Sequence, residues 1–186
     1  KNEARVQELL SKKRLDFKFK QSNTTQGLYD LIKKYIKPTD SVVELGSFAG
    51  VSSELIALHC GELSCVDPWE PYWEIDNGDT MLEAEASFDH MCSNYSNIRK
   101  LKMDSLKAVD MFSDGGLDLI YIDSDHSFGQ VELEIKNWTP KVSDDGYISG
   151  HDINLPVFNA VMSVFDPTYV ELFNDTSWIV QKSKIC

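Results

Sequence analysis

Two short runs concentrate reactive side chains in this 186-residue chain: Asp123-Ser124-Asp125-His126 and His151-Asp152. Carboxylates and imidazoles at neighbouring strand ends can take up a proton near neutral pH, or can hold a divalent cation that lowers the pKa of a bound hydroxyl. An imidazole after a strand can equally tie its own loop to a backbone carbonyl, and for His126 and His151 both readings stay open. His126 is a candidate organiser, His151 a candidate base or ligand, and Asp123 and Asp152 are the acidic partners.

A second pattern lies upstream. The run Glu44-Leu45-Gly46-Ser47-Phe48-Ala49-Gly50-Val51-Ser52-Ser53 ends an apolar stretch in a turn whose glycines allow close backbone approach. Ser52 or Ser53 can start the helix that follows. Asp67 ends the next apolar stretch, where an acidic side chain can accept both hydroxyls of an adenosine ribose. Glycines alone also suit any tight strand-to-helix turn; with Asp67 they point to a nucleoside-containing ligand.

These residues must be carried by strands and helices, and the apolar periodicity supplies both. Strands are predicted at 41–45, 63–67, 98–103, 117–123 and 146–150, with helices at 52–58, 81–94, 106–112 and 131–138 between them. Such alternation implies a mainly parallel sheet with right-handed crossovers and helices on both faces. Two helices precede it, over 3–14, closed by the basic run Lys12-Lys13-Arg14, and over 25–36, stopped by Pro38. After a helix at 157–165, strands at 169–173 and 178–181 are too close for a parallel crossover and form an antiparallel hairpin. The expected organisation is one domain over 1–186, with an N-terminal helical segment at 1–38 and the sheet core at 39–186. Trp138 and Trp178 are expected in the core.

Composition narrows the function classes. Thirty acidic against eighteen basic residues leave a net charge of −12, which repels phosphate backbones and anionic headgroups, so neither nucleic acid nor membrane is expected as a partner. An apolar share of 42% places the chain among folded globular proteins. No stretch approaches the roughly 20 apolar residues of a membrane span. Cys60, Cys65, Cys92 and Cys186 form no Cys-x-x-Cys pair, so reduced thiols are expected, and with His59 and His90 they match no common zinc spacing. The opening residues lack the apolar core of a signal peptide, which predicts a cytoplasmic setting.

The runs Val43 to Ser53, Asp67-Pro68-Trp69, Tyr121 to Phe128 and Gly146 to Asp152 resemble, in order and spacing, the class I S-adenosylmethionine-dependent methyltransferases. Within that class they are most similar to the branch of macrolide and aminocoumarin O-methyltransferases and the cephalosporin hydroxylases. The resemblance implies a three-layer α/β Rossmann-like sandwich whose seven-stranded sheet ends in an antiparallel hairpin. It implies that Glu44 and the turn with Gly46, Ser47, Phe48 and Gly50 hold the methionine part of the cofactor, that Asp67 grips the ribose, that Asp104 and Ser105 contact adenine, and that Ser52, Pro68 and Trp69 belong to the same cofactor site. Asp123 borders the cofactor and, with Asp152, would bind Mg2+. Phe48 stands where many relatives have a third glycine.

The expected reaction is methyl transfer to a hydroxyl of a small molecule or sugar. A nicotinamide-dependent oxidoreductase would share the sheet and Asp67, yet the turn lacks Gly-x-Gly-x-x-Gly. Methylation of a base amino group commonly uses an Asn/Asp-Pro-Pro-aromatic element, whereas this strand end reads Asp123-Ser124-Asp125-His126. A catalytically inactive cofactor-binding or partner module is the remaining alternative. So compact a chain leaves few residues for an acceptor pocket, which a homo-oligomer would complete. The aromatic, acidic insertion after Asp67, from Trp69 to Asn77, reads either as a lid over the pocket or as a loop with its aromatics folded onto the sheet edge.

Overall fold

Alternation along the strands decides which side chains face which layer. In β1 (Ser41–Leu45), Val43 and Leu45 point into one core, whereas Val42 points into the other. A strand apolar on both faces belongs in the middle of a covered sheet. The computed structural model describes residues 2–11, 25–70 and 78–184, and in it β1 is the middle one of five parallel strands. The basic run at 12–14, the insertion at 71–77 and Cys186 lie outside the described residues.

Preceding β1 are α1 (Asn2–Ser11) and α2 (Gln26–Tyr35); α3 (Val51–Ala57), β2 (Glu62–Asp67), α4 (Gly78–Cys92) and β3 (Ile98–Lys102) follow it. The second half runs α5 (Ser105–Ala108), β4 (Leu117–Ile122), α6 (Phe128–Trp138), β5 (Val142–Gly150), α7 (Leu155–Val164), β6 (Glu171–Leu172) and β7 (Trp178–Gln181). The strands lie in the order β3-β2-β1-β4-β5-β7-β6. β1 to β5 pair in parallel, and β7 runs antiparallel to both β5 and β6, which is the expected terminal hairpin. Strand order reverses between β1 and β4, and in open parallel sheets ligands collect at the carboxyl ends of the strands beside such a switch point.

Helices α1 to α4 cover one face through Val6, Leu28, Ile32, Leu55, Ile56 and Phe88, and α5 to α7 cover the other through Ala108, Ile135, Ala160 and Val161. Trp138 and Trp178 are fully buried, as expected. The first helix is fastened by a polar contact as well: Arg5 Nε and Nη2 donate to the two Glu54 oxygens at 2.8 and 2.6 Å, and Tyr95 donates to Glu54 Oε1 at 2.6 Å. No described helix is long and apolar enough to cross a membrane.

Departures from the sequence expectation fall at element ends. β5 begins at Val142 rather than 146, because its register to β4 shifts between Leu117 and Leu119 and the exposed Asp144 and Asp145 mask the continuation. The strand expected over 169–173 contracts to Glu171–Leu172, since Asp166 caps a 3-10 turn at Pro167–Tyr169. Similarly, the helix expected over 106–112 divides into α5 and a 3-10 turn at Val109–Met111. α4 and α6 each start three residues earlier than expected, the latter because Ser127 caps it by accepting from the Gln130 amide.

Candidate active site

The reversal between β1 and β4 brings the two sequence patterns together. The parallel ladder runs one residue past each strand: the Asp123 amide donates to the Leu45 carbonyl at 2.8 Å, and the His151 amide to the Ile122 carbonyl at 3.0 Å. Gly46, Asp123 and His151 therefore stand side by side. Gly46 has φ +86°, and a Cβ there would lie 2.1 Å from the Asp123 carbonyl oxygen. Glycine is required at this position by both backbone conformation and space.

Four predicted side chains converge just beyond. His126 Nε2 lies 3.4 Å from Asp123 Oδ1 and 3.2 Å from Asp152 Oδ2, while His151 Nδ1 lies 3.3 Å from Asp152 Oδ1 and 3.7 Å from Asp123 Oδ1. Asp123, His126 and Asp152 each place one ligand-type atom within 4.8 Å of the other two. Asp152 reaches the cluster with φ +51°, a left-handed conformation that aspartate tolerates better than most residues. The Asp123 carboxylate, and Asp152 after it, raise the pKa of His126 against the opposing effect of burial. His126 is 44% exposed and His151 only 5%, so His126 is the imidazole on the solvent side. Asp125 turns away and accepts from the Ser127 amide at 2.7 Å.

The turn after β1 is braced from inside. The buried Glu44 carboxylate accepts from Ser47 Oγ at 2.7 Å and from Ser53 Oγ, and Ser52 is a further hydroxyl that favours its ionised form. Burial outweighs these hydroxyls and pushes the Glu44 pKa up. Gly50, at φ +85°, starts α3.

Asp67 occupies the end of β2 as predicted, but its carboxylate is engaged by the protein. Oδ2 accepts from the Phe48 amide at 2.9 Å and Oδ1 from the Trp69 amide at 2.7 Å, while Trp69 Nε1 donates to the Phe48 carbonyl at 2.8 Å. Phe48 and Trp69 both have positive φ, +43° and +47°, so the strap across Asp67 holds two non-glycine residues in a conformation that costs each roughly 1–2 kcal/mol. Asp67 is 3% exposed, and the Ser47 amide is a further backbone donor that favours its ionised form. Pro68 is half-buried beside it. Trp69 packs its ring on Phe88, centroids 4.9 Å apart, so this one aromatic of the insertion is folded into the core.

Asp104 and Ser105 part company. Asp104 is exposed and caps α5, accepting from the Leu106 and Lys107 amides at 3.0 and 3.2 Å. Ser105 is buried and donates to Glu134 Oε1 at 2.5 Å. Glu134, a fully buried carboxylate on α6, escaped the sequence reading. Its signal is an acid at 134 within the apolar stripe Val131, Ile135 and Trp138. Two surface cavities, of about 360 and 420 Å³, lie elsewhere, at the amino ends of β1 to β3 and beside Tyr35 and Tyr147.

A glycine turn follows β1, an acid ends β2, and a polar cluster lies across the switch point. Residues 43–153, the span from β1 to just past Asp152, match the family model described as a methyltransferase domain. The chain belongs to the methyltransferase domain family. Solved structures share its fold. A Corynebacterium glutamicum protein superposes with a TM-score of 0.65 at 13% identity, covering 97% of this chain and 89% of its own. The N-methyltransferase NodS of Bradyrhizobium japonicum, in complex with S-adenosyl-L-homocysteine, gives 0.58 at 15% identity, covering 96% of each chain. An rRNA methylase of Streptococcus thermophilus gives 0.59 at 11% identity, covering 82% and 91%. At such identities the likeness is one of fold. Among curated sequences, the uncharacterized protein y4gI of Sinorhizobium fredii is 27% identical over 116 residues, which is 60% of this chain and 13% of that protein. This methyltransferase domain thus spans a small part of that relative's length.

Proposed function

We propose that the domain transfers a methyl group from S-adenosylmethionine to a hydroxyl of a small molecule or sugar. One observation carries the reading: Gly46 of the cofactor-type turn packs directly on Asp123 of the carboxylate and imidazole cluster. A donor lying along that turn would therefore present its methyl group beside groups able to manage a proton. The sulfonium already activates the methyl, so the protein's tasks are alignment for in-line displacement and removal of the acceptor proton.

Glu44 and the 46–50 turn would seat the methionine end, Asp67 the ribose, and the loop carrying Ser105 the adenine side. In the transfer itself, the acceptor oxygen forms a bond to the methyl carbon as the carbon–sulfur bond breaks and its electron pair stays on sulfur. The hydroxyl proton passes to the cluster, where His126 and His151 are the imidazoles and Asp123 and Asp152 stabilise the charge they acquire.

The cluster's donor set also fits a divalent cation: two carboxylate oxygens and one imidazole nitrogen lie within 4.8 Å of one another. Asp123, His126 and Asp152 would hold it, and a cation there would lower the pKa of a hydroxyl. Exposed Phe128 and Leu155, within three residues of His126 and Asp152, favour an acceptor with apolar surface beside its hydroxyl. The net charge of −12 argues against a nucleic-acid acceptor and against a membrane.

Calorimetry with S-adenosylhomocysteine, beside a thermal-shift comparison with NAD, tests the cofactor class, since a bound ligand raises apparent stability with its concentration over Kd. Stabilisation by S-adenosylhomocysteine alone is expected. Stabilisation by NAD alone would replace the methyltransferase reading with the oxidoreductase one, and binding without turnover over a panel of alcohols would favour an inactive module.

A further inference from the structure

We infer that Glu134 is the positioning residue of this site: its carboxylate pins the loop after β3 and the loop after β4 to one point on α6, and so fixes Asp123 and His126 against the cofactor turn. The inference rests on the reading of the site given above.

The contacts run in both directions from one buried group. Oε1 accepts from Ser105 Oγ at 2.5 Å and from Gln130 Nε2 at 3.1 Å, and Oε2 accepts from Ser124 Oγ at 2.6 Å. Gln130 Nε2 also lies 3.2 Å from Ser105 Oγ, and Trp138 Nε1 donates to the Ser105 carbonyl at 3.2 Å. Ser124 is the residue after Asp123, and Ser105 follows Asp104 at the head of α5. Three donors therefore converge on a carboxylate that is 0% exposed, and each loop has one hydroxyl committed to it.

A buried acid on a helix face otherwise filled by Val131, Ile135 and Trp138 is costly to keep, and burial accordingly pushes its pKa up against the three donors. An apolar residue at 134 would fill the space without that cost, but would orient neither loop. Polar networks that are fully satisfied trade stability for a single geometry. This one joins the adenine-side loop to the proton-handling loop.

Hydrogen exchange and S-adenosylhomocysteine calorimetry on the wild type, E134L and E134Q test the assignment. Glutamine keeps the shape, and a serine hydroxyl can turn to accept from its amide, so E134Q should rescue what E134L loses. In E134L the amides of 104–108 and 123–127 are expected to exchange about tenfold faster together, with those of α3 unchanged, and the ligand's Kd to weaken about tenfold. E134Q should stay within about twofold of the wild type on both readouts.

Loosening of one loop only, uniform loosening of the domain, or E134Q behaving as E134L would overturn the assignment. Should E134L fail to fold, Ser105→Ala and Ser124→Ala decide: each must loosen its own loop, and unchanged exchange in either refutes the link. If the wild type does not bind S-adenosylhomocysteine, the methyltransferase reading falls while the exchange data still judge Glu134.

Discussion

The Asp67 carboxylate accepts a hydrogen bond from the Phe48 amide at 2.9 Å, joining the end of β2 to the turn after β1, and Phe48 holds φ +43° at that point. The same carboxylate is thus both the proposed ribose acceptor and a brace for the turn. Asp67→Ala removes the acceptor for two amides, so the fold should lose about 1–3 kcal/mol. S-adenosylhomocysteine affinity should fall by about 10- to 100-fold, the equivalent of roughly 1.5–3 kcal/mol. Urea unfolding and calorimetry read the two effects separately; unchanged affinity in a folded variant would remove Asp67 from the ribose site.

Gly46→Ala should be among the most damaging single-methyl changes. The added Cβ meets the Asp123 carbonyl at 2.1 Å, that carbonyl is backbone, and φ is +86°. Left-handed strain and overpacking together predict a loss of about 2–4 kcal/mol. Urea unfolding of the variant is the check, and a loss below 1 kcal/mol would mean that the turn after β1 moves freely against the loop after β4.

Much of this architecture was legible in the residues. β1 and β7 fall where period and composition put them, and the meeting of Gly46 with Asp123 follows from parallel strands once the order reverses at β1. Asp123, His126, His151 and Asp152 come together because they follow neighbouring strands. Other features depend on geometry that no local pattern encodes. The strap from Phe48 to Trp69 requires two residues to adopt positive φ, which their side chains disfavour. Glu134 reads as a helix-surface acid until Ser105 and Ser124, from two distant loops, are seen to face it. The bulge in β5 hides behind two exposed aspartates.

The cation reading predicts binding that can be measured without an acceptor. Mn2+ serves as probe, and its electron paramagnetic resonance signal should report one site in the wild type. Asp152→Asn and His126→Ala should each weaken that site about 10- to 100-fold while leaving S-adenosylhomocysteine affinity within about twofold. Absence of Mn2+ binding in the wild type would reject the cation and leave proton removal to the imidazoles.

The pH dependence of stability follows from the buried acids. Burial raises the native pKa values of Glu44, Asp67 and Glu134 above their ordinary values of 4.5, 3.8 and 4.5. Between those values and the raised ones the native state binds more protons than the unfolded chain, so stability falls as pH rises. Glu85 and Glu171 act oppositely: lysine partners hold both below 4.5, so their stabilisation is present above that pH and fades below it. The melting temperature, measured with chelator present, is therefore expected to fall as the pH rises from just above 4.5, and Glu44→Gln should reduce that fall. A melting temperature that climbs as the pH rises from 4.5 would show that the buried carboxylates are already ionised in the native state there.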